Sequence, residues 1–137
     1  MLGRICLTLS AGMAIVGPFL FDFNETHVKN PRWPPHAKFH NGQTMSMGLA
    51  LGLAALYYSH RPAPKALKAD HIFTAAVFAS LYWITGLSAI LYPGSKAIDP
   101  EFGEGFPQLY VFTAMAVISW VGYWLEIRSL SAVEKTA

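Results

Sequence analysis

Four long uncharged segments dominate the pattern of polar and apolar positions along the chain. They contain 17, 22, 25 and 21 residues and lie between Arg4 and Asp22, Lys38 and Arg61, Asp70 and Lys96, and Glu104 and Glu126. A helix needs about 20 mostly apolar residues to cross a bilayer. An outer helix of a soluble bundle would instead carry charged side chains along one face. The pattern therefore predicts an all-α integral membrane four-helix bundle, with helices at about 2–21, 35–59, 69–92 and 107–127.

Composition agrees with this prediction and narrows the functional classes. Apolar residues make up 53% of the 137 residues and charged residues 13%, against roughly 25% charged residues in an average soluble protein. The net charge of +2 forms no basic stripe of the kind that binds nucleic acid. The single Cys6 forms no internal disulfide. We therefore expect one domain spanning residues 1–137, a multi-pass membrane protein surrounded by lipid, with no nucleic-acid partner.

The distribution of basic residues predicts the orientation of the four spans. Six basic residues lie in the N-terminus, the second loop and the C-terminal tail: Arg4, Arg61, Lys65, Lys68, Arg128 and Lys135. Four lie in or beside the first and third loops: Lys29, Arg32, Lys38 and Lys96. Basic residues favour the cytoplasmic side of a membrane. Both termini are therefore predicted to be cytoplasmic, and the first and third loops share the outer or lumenal side.

The stretch from Asp22 to His40 concentrates the polar chemistry of the chain. It holds three of the five histidines, two of the eight acidic residues and three prolines. Proline fixes the backbone φ angle and restricts the preceding residue, so this loop is predicted to be stiff. A rigid, ionisable loop between apolar helices predicts a polar site on the rim of the bundle.

General acid–base catalysis is the leading interpretation of this loop. Asp22 or Glu25 beside His27 could exchange protons with an apolar substrate that enters between the helices. Such a site would suit isomerisation, cyclisation or hydration of a lipid or terpenoid. The candidate catalytic residues are Asp22, Glu25, His27, His36 and His40. The candidate substrate-binding residues are Asn24, Asn30, Arg32, Trp33 and Gln43, and the acidic loop with Asp99, Glu101 and Glu104 is a candidate lid.

A metal site is a second interpretation of the same residues. His36 and His40 are spaced i and i+4, which places both imidazoles on one helix face. His27, Glu25 or Asp22 could complete the ligand set, and zinc suits mixed nitrogen and oxygen ligands. The cofactor prediction is therefore either none or a single zinc-like ion. Gln43 is predicted to point into the bundle one turn below His40.

Two non-catalytic interpretations remain open. Ion pairs such as Glu25 with Arg32 or Lys29 could simply lock the loop. The protein could also be a non-catalytic membrane subunit or lipid-binding module whose rigid first loop docks a partner protein or a second copy of the chain. Convergence of the histidines and a carboxylate would favour the enzyme, and a flat outer arrangement would favour docking.

The motif in this stretch resembles a known family signature. Asp22-x-Asn-Glu-Thr-His27, followed by Asn30-Pro-Arg-Trp-Pro-Pro-His-Ala-x-Phe-His40, is similar to the signature of a family of small, uncharacterised four-span membrane proteins. That family is known mainly from fungi and bacteria. The resemblance implies the four-span architecture and supplies no activity.

Overall fold

Four long helices follow one another along the chain. The computed structural model describes the backbone of residues 1–136 and the side chains of residues 1–132. The helices are α1 (Leu2–Asp22), α2 (Pro35–His60), α3 (Lys68–Ser88) and α4 (Gln108–Thr136). Short 3-10 helices at Lys65–Leu67 and Ala89–Leu91 flank α3. The prediction of an all-α fold with four helices is confirmed.

The helix ends follow from local sequence. Pro35 occupies the first turn of α2, where its missing N–H would have had no helical partner. Regular α-helix in α3 ends at Ser88, and the chain then turns through Gly94 at a positive φ of 75°. The helix α4 continues to Thr136, past the predicted end at about residue 127. Residues 128–136 contain neither glycine nor proline, so nothing in the sequence stops the helix there.

The bundle has two ends with different polar groups. Each helix packs on its neighbour in sequence, and α1 also packs on α4. The N-terminal amine lies 2.9 Å from Oε1 of Glu126 in α4, so the start of α1 and the later turns of α4 share one end. We call this the terminal end. The opposite end, which we call the rim, holds the loops of residues 23–34 and 92–107.

Small residues allow α1 and α2 to approach closely. A Cβ atom added at Gly48 would lie 2.6 Å from the carbonyl oxygen of Ala14, and one at Gly52 would lie 2.7 Å from that of Ala11. Both distances are too short for a real side chain. The two glycines are four residues apart on one face, the spacing that favours close helix contact in membranes. Gly48-Leu-Ala-Leu-Gly52 is therefore the contact surface of α2 for α1.

A small polar network ties α1, α3 and α4 together inside the bundle. The hydroxyl of Ser10 accepts a hydrogen bond from Trp83 Nε1 at 2.8 Å and another from the Ser119 hydroxyl at 2.8 Å. All three side chains are buried. Buried polar groups need partners, and these satisfy each other across three helices.

The outer surface of the bundle is apolar along its length. Leu2, Ile5, Leu9, Val16 and Leu20 on α1 are each about half exposed or more, and their spacing places them on one face. Within the described part of the chain, three helical segments are long and apolar enough to cross a membrane: Leu2–Asp22, Lys65–Leu91 and Gln108–Ala132. The helix α2 is long enough at 26 residues but begins with a polar stretch, Pro35-His-Ala-Lys-Phe-His-Asn-Gly-Gln43, that lowers its hydropathy.

Candidate functional site

The first rim loop is folded by its own asparagines. The side chain of Asn24 donates from Nδ2 to the carbonyl of Phe21 at 2.8 Å, which caps the end of α1. Its Oδ1 accepts the backbone N–H of Thr26 at 2.8 Å, and its carbonyl accepts the N–H of His27 and Lys29. Asparagine commonly forms such local turns. Asn24, predicted as a substrate contact, therefore stabilises the backbone of the loop through hydrogen bonds.

Asp22 and His27 form the central ionisable pair of the rim. Nε2 of His27 lies 3.8 Å from Oδ1 of Asp22, an ion-pair distance longer than a hydrogen bond. Both side chains are partly buried. Of the five predicted catalytic residues, these two are brought together as an acid–base pair.

The hydrogen bonds around His27 determine where its proton lies. The Thr26 hydroxyl donates its single hydrogen to Asn24 Oδ1 at 2.7 Å. Nδ1 of His27 lies 2.7 Å from the same hydroxyl oxygen, so Nδ1 must be the donor in that contact. Nε2, the other ring nitrogen, then faces the Asp22 carboxylate at 3.8 Å. A proton on either group could be passed to the other after a small movement of the side chains.

Asn41 completes the surroundings of Asp22. Its Nδ2 donates to Asp22 Oδ2 at 3.3 Å, and its Oδ1 is buried without a hydrogen-bond partner. Asn41 was not among the predicted site residues. Helical spacing could have identified it. Asn41 lies four residues before Met45 and seven before Gly48, which places it on the same face of α2 as these two buried residues.

A clamp between the two rim loops fixes the first loop in place. Nδ2 of the fully buried Asn30 donates to Glu101 Oε1 at 2.8 Å. Arg32 forms an ion pair with the other oxygen of Glu101, and Trp33 Nε1 donates to Asp99 Oδ2 at 2.7 Å. Asn30, Arg32 and Trp33 therefore bind the third loop, residues 92–107. The predicted lid residues Asp99 and Glu101 are its contact points.

The predicted ion pairs within the first loop are not the ones that form. Arg32 pairs with Glu101 on the other loop, and Nζ of Lys29 lies 4.6 Å from the centre of the Phe23 ring. Glu25 is exposed, and no ion pair or hydrogen bond of its side chain is found in the described part of the chain. Glu104 is likewise exposed and lies outside the clamp.

His36 and His40 contact each other on the exposed start of α2. Their Nε2 atoms are 3.0 Å apart, and His40 Nδ1 lies 3.1 Å from Gln43 Oε1. The prediction that Gln43 points into the bundle is wrong, because its side chain is exposed. Gln43 lies two residues from the buried Met45, which is about 200° around the helix and therefore on the opposite face.

The residues proposed as metal ligands separate into two groups. His27 contacts Asp22 and packs edge-on against Trp33 with ring centres 5.2 Å apart, whereas His36 and His40 contact each other. Among the described residues, no cluster of three or more His, Cys, Asp or Glu side chains is arranged to hold a metal ion. The rim therefore offers an acid–base pair and, apart from it, a two-histidine pair.

Comparison with known proteins identifies the family. Neither curated proteins nor solved structures give a significant match to the chain. The model of DUF6640, a family of unknown function, matches residues 6–136. This match includes all of the rim residues described above and nearly all of the four helices. The protein therefore belongs to the DUF6640 family.

Proposed function

We propose that the protein is a multi-pass membrane protein with both termini in the cytoplasm. The apolar outer faces of the helices support insertion, because a soluble surface rarely exposes so much continuous apolar area. The helix α2 would cross with its polar start at the rim, beside the first and third loops. Arg4, Arg61, Lys65 and Lys68 gather at the terminal end, which supports a cytoplasmic location for that end. The rim then faces the outer or lumenal side.

We infer that the rim site is enzymatic and acts on an apolar small molecule by acid–base chemistry. The observation that carries this proposal is the partly buried pair of His27 and Asp22, with Nε2 3.8 Å from Oδ1. One partner of the pair, when protonated, can give a proton to one end of a substrate double bond, and the other can accept a proton from the carbon attached to the opposite end. Such a step shifts a double bond with no net gain or loss of protons, as in an isomerase. Cyclisation and hydration of a lipid or terpenoid use the same proton donor.

The unpaired oxygen of Asn41 supports a polar group on that substrate. Asn41 Oδ1 is buried beside Asp22 and accepts no hydrogen bond from the protein. A buried acceptor without a partner is costly, and a substrate hydroxyl could donate to it. We therefore favour a mainly apolar substrate with one hydroxyl group.

A second candidate function is non-catalytic docking. The clamp between Arg32 and Glu101 holds the first loop rigid, and the neighbouring start of α2 exposes Phe39 stacked on His36. A rigid loop with exposed aromatic groups suits binding to a protein partner or a second copy. A single zinc-like ion bridging His36 and His40 would belong to this surface and would need further ligands from the partner.

Lipid analysis of membranes containing the full chain tests the enzyme proposal. Lipid extracts from cells expressing the protein are compared by mass spectrometry with extracts from cells expressing Asp22→Asn or His27→Gln. Loss of the proton donor is expected to slow conversion by about 10²-fold or more. The matched control is Glu25→Gln, because this residue, a catalytic candidate by sequence, is exposed and has no ion pair or hydrogen bond of its side chain among the described residues.

The outcomes separate the two candidates. A lipid-sized molecule whose level changes with the wild-type protein and with Glu25→Gln, but not with Asp22→Asn or His27→Gln, supports the enzyme. Identical lipid profiles for all four proteins contradict it. Metal analysis of the purified protein, with His36→Ala and His40→Ala as controls, tests the zinc-like ion separately.

A further inference from the structure

The terminal end contains a basic cleft that the proposed rim chemistry does not use. It opens between the start of α1, the end of α2 and the first turn of α3, with a volume of about 320 Å³. Among its lining residues are Arg4, Ser59, Arg61, Lys68 and His71. We call this set the basic cleft. Its size is at the lower end for small-molecule sites, which commonly measure about 300–1,000 Å³.

The charge of the basic cleft is positive and only partly compensated. No Asp or Glu side chain is among the described residues that line it. Arg4 is partly neutralised, since its Nε lies 3.5 Å from Oε2 of Glu126. The Arg61 guanidinium packs over the Tyr57 ring at 4.9 Å, and no described carboxylate lies within ion-pair distance of Arg61 or Lys68. Two cations are therefore available for an anionic group.

Two buried polar atoms in the cleft have no partner. Ser59 is 1% exposed and His71 is 8% exposed, and Ser59 Oγ and His71 Nδ1 make no hydrogen bond within the protein. The ring of His71 is held edge-on to Tyr58, with centres 5.6 Å apart. Buried polar groups almost always have partners. A hydroxyl and an imidazole N–H are both donors that an anion can occupy.

The start of α3 adds to the positive electrostatic potential of the basic cleft. The 3-10 turn Lys65–Leu67 leads directly into α3, and the Lys68 N–H bonds to the Lys65 carbonyl. The helix therefore favours an anion here through its dipole rather than through the N–H group of Lys68. Asp70 in the first turn is exposed and does not line the cleft.

We propose that the basic cleft binds a phosphate group. Cations, hydroxyl and imidazole donors, and a helix N-terminus are the groups that recognise phosphate in proteins. A phosphate is available from two sources, the headgroup of an anionic lipid or a soluble phosphate. The lipid source fits the location, because basic pockets between membrane helices bind anionic headgroups. This proposal is independent of the Asp22–His27 chemistry at the rim.

Binding measurements on the full chain in non-ionic detergent test the proposal. The probes are inorganic phosphate, dihexanoyl phosphatidic acid, and dihexanoylglycerol, which has the same acyl chains without phosphate. Lys68→Ala is expected to weaken binding of a phosphate probe about tenfold, and Ser59→Ala about threefold or more. The controls are Lys96→Ala, which removes a basic residue from the rim loop, and Ser80→Ala, which removes a buried hydroxyl that donates to its own helix.

Each outcome decides the question. Phosphatidic acid binding that falls in Lys68→Ala and Ser59→Ala, with no binding of dihexanoylglycerol, supports a lipid headgroup as the source. Binding of inorganic phosphate with the same two losses, but no gain for phosphatidic acid, supports a soluble source. No binding of either phosphate probe, or binding that Lys96→Ala and Ser80→Ala weaken equally, overturns the proposal. Because Ser59→Ala removes a hydroxyl without a partner, it should fold as the wild type does.

Discussion

Replacement of Asn30 is expected to open the clamp between the rim loops. Asn30 is fully buried and makes two side-chain hydrogen bonds, one to Glu101 Oε1 at 2.8 Å and one from the backbone N–H of Arg32 at 2.9 Å. Asn30→Ala removes both bonds and leaves the Arg32 N–H without its acceptor. The amides of Asn30 and Trp33 bond to carbonyls of the same loop and therefore report its opening.

The cost can be worked from these contacts. A hydrogen bond to a charged group contributes about 1.5–3 kcal/mol, and a neutral one about 0.5–1.5 kcal/mol. The Glu101 side chain is 35% exposed, so its bond is discounted to about 1–2 kcal/mol for solvent screening. The sum is about 1.5–3.5 kcal/mol for the local opening of the clamp, which corresponds to roughly 12- to 300-fold faster hydrogen exchange.

Asn30→Asp changes the charge of this side chain while leaving its shape almost unchanged. Aspartate keeps the acceptor for the Arg32 N–H but places a carboxylate oxygen where Nδ2 was, against Glu101. Repulsion between two charges about 4 Å apart near a surface is about 1–4 kcal/mol, and the nearby Arg32 offsets part of it. We therefore expect the backbone amides of the first rim loop to exchange their hydrogens at least as fast in Asn30→Asp as in Asn30→Ala. In the double variant, adding Glu101→Gln should slow hydrogen exchange in the loop again, because the glutamine amide can donate to the carboxylate at position 30.

Hydrogen exchange of the detergent-solubilised protein measures these effects. Peptides covering residues 28–34 report the clamp, and peptides covering residues 58–64 at the terminal end are the internal control. The reasoning is refuted if Asn30→Asp exchanges as slowly as the wild type, or if Glu101→Gln slows exchange no more in the Asn30→Asp background than in the wild type. Equal acceleration at both ends would mean general destabilisation and would also refute a local clamp.

Two further predictions concern packing inside the bundle. Gly48→Ala is expected to lower stability by about 1–3 kcal/mol, because its Cβ would lie 2.6 Å from the Ala14 carbonyl oxygen. The control is Gly42→Ala, whose Cβ would meet nothing within 4 Å. This substitution should instead raise stability by about 0.5–1 kcal/mol. Ser10→Ala should cost about 1–3 kcal/mol, because it leaves Trp83 Nε1 buried without an acceptor. Thermal unfolding in one detergent measures both, and a neutral Gly48→Ala or Ser10→Ala would contradict the close contact or the network.

Much of the fold could be predicted because charge spacing reports helix length directly. The gaps between Arg4 and Asp22 and between Asp70 and Lys96 locate α1 and α3 closely. The end of α4 could not be predicted this way, because a helix can extend past the apolar segment into a charged, helix-compatible sequence. Charge spacing reports where a helix becomes polar, whereas glycine, proline or a cap determines where it ends.

The sequence predicted that Asp22 and His27 lie side by side, but it predicted neither Asn41 nor the contacts between the two rim loops. Asp22 and His27 were identified together, since they lie close in sequence. An ion pair of Glu25 with Arg32 or Lys29 was one alternative suggested on the same grounds, yet Arg32 pairs with Glu101, 69 residues away. Pairing between loops depends on how the helices bring them together, and no local pattern contains that information. The basic cleft was missed for the same reason, because its residues come from three separate helices.

Both proposed sites contain buried polar atoms without a hydrogen-bond partner among the described residues. The described residues contain four such side-chain atoms: Asn41 Oδ1, Ser59 Oγ, His71 Nδ1 and Gln108 Oε1. Asn41 Oδ1 lies beside the Asp22–His27 pair, and Ser59 Oγ and His71 Nδ1 lie in the basic cleft. By contrast, Asn30 is fully buried and bonds through both atoms of its side-chain amide. If the chain were only a scaffold, its unpaired atoms would be expected without regard to the charged groups. Three of the four instead lie beside groups that can bind or transfer a proton or an anion, which is the arrangement expected when a ligand supplies the missing partner.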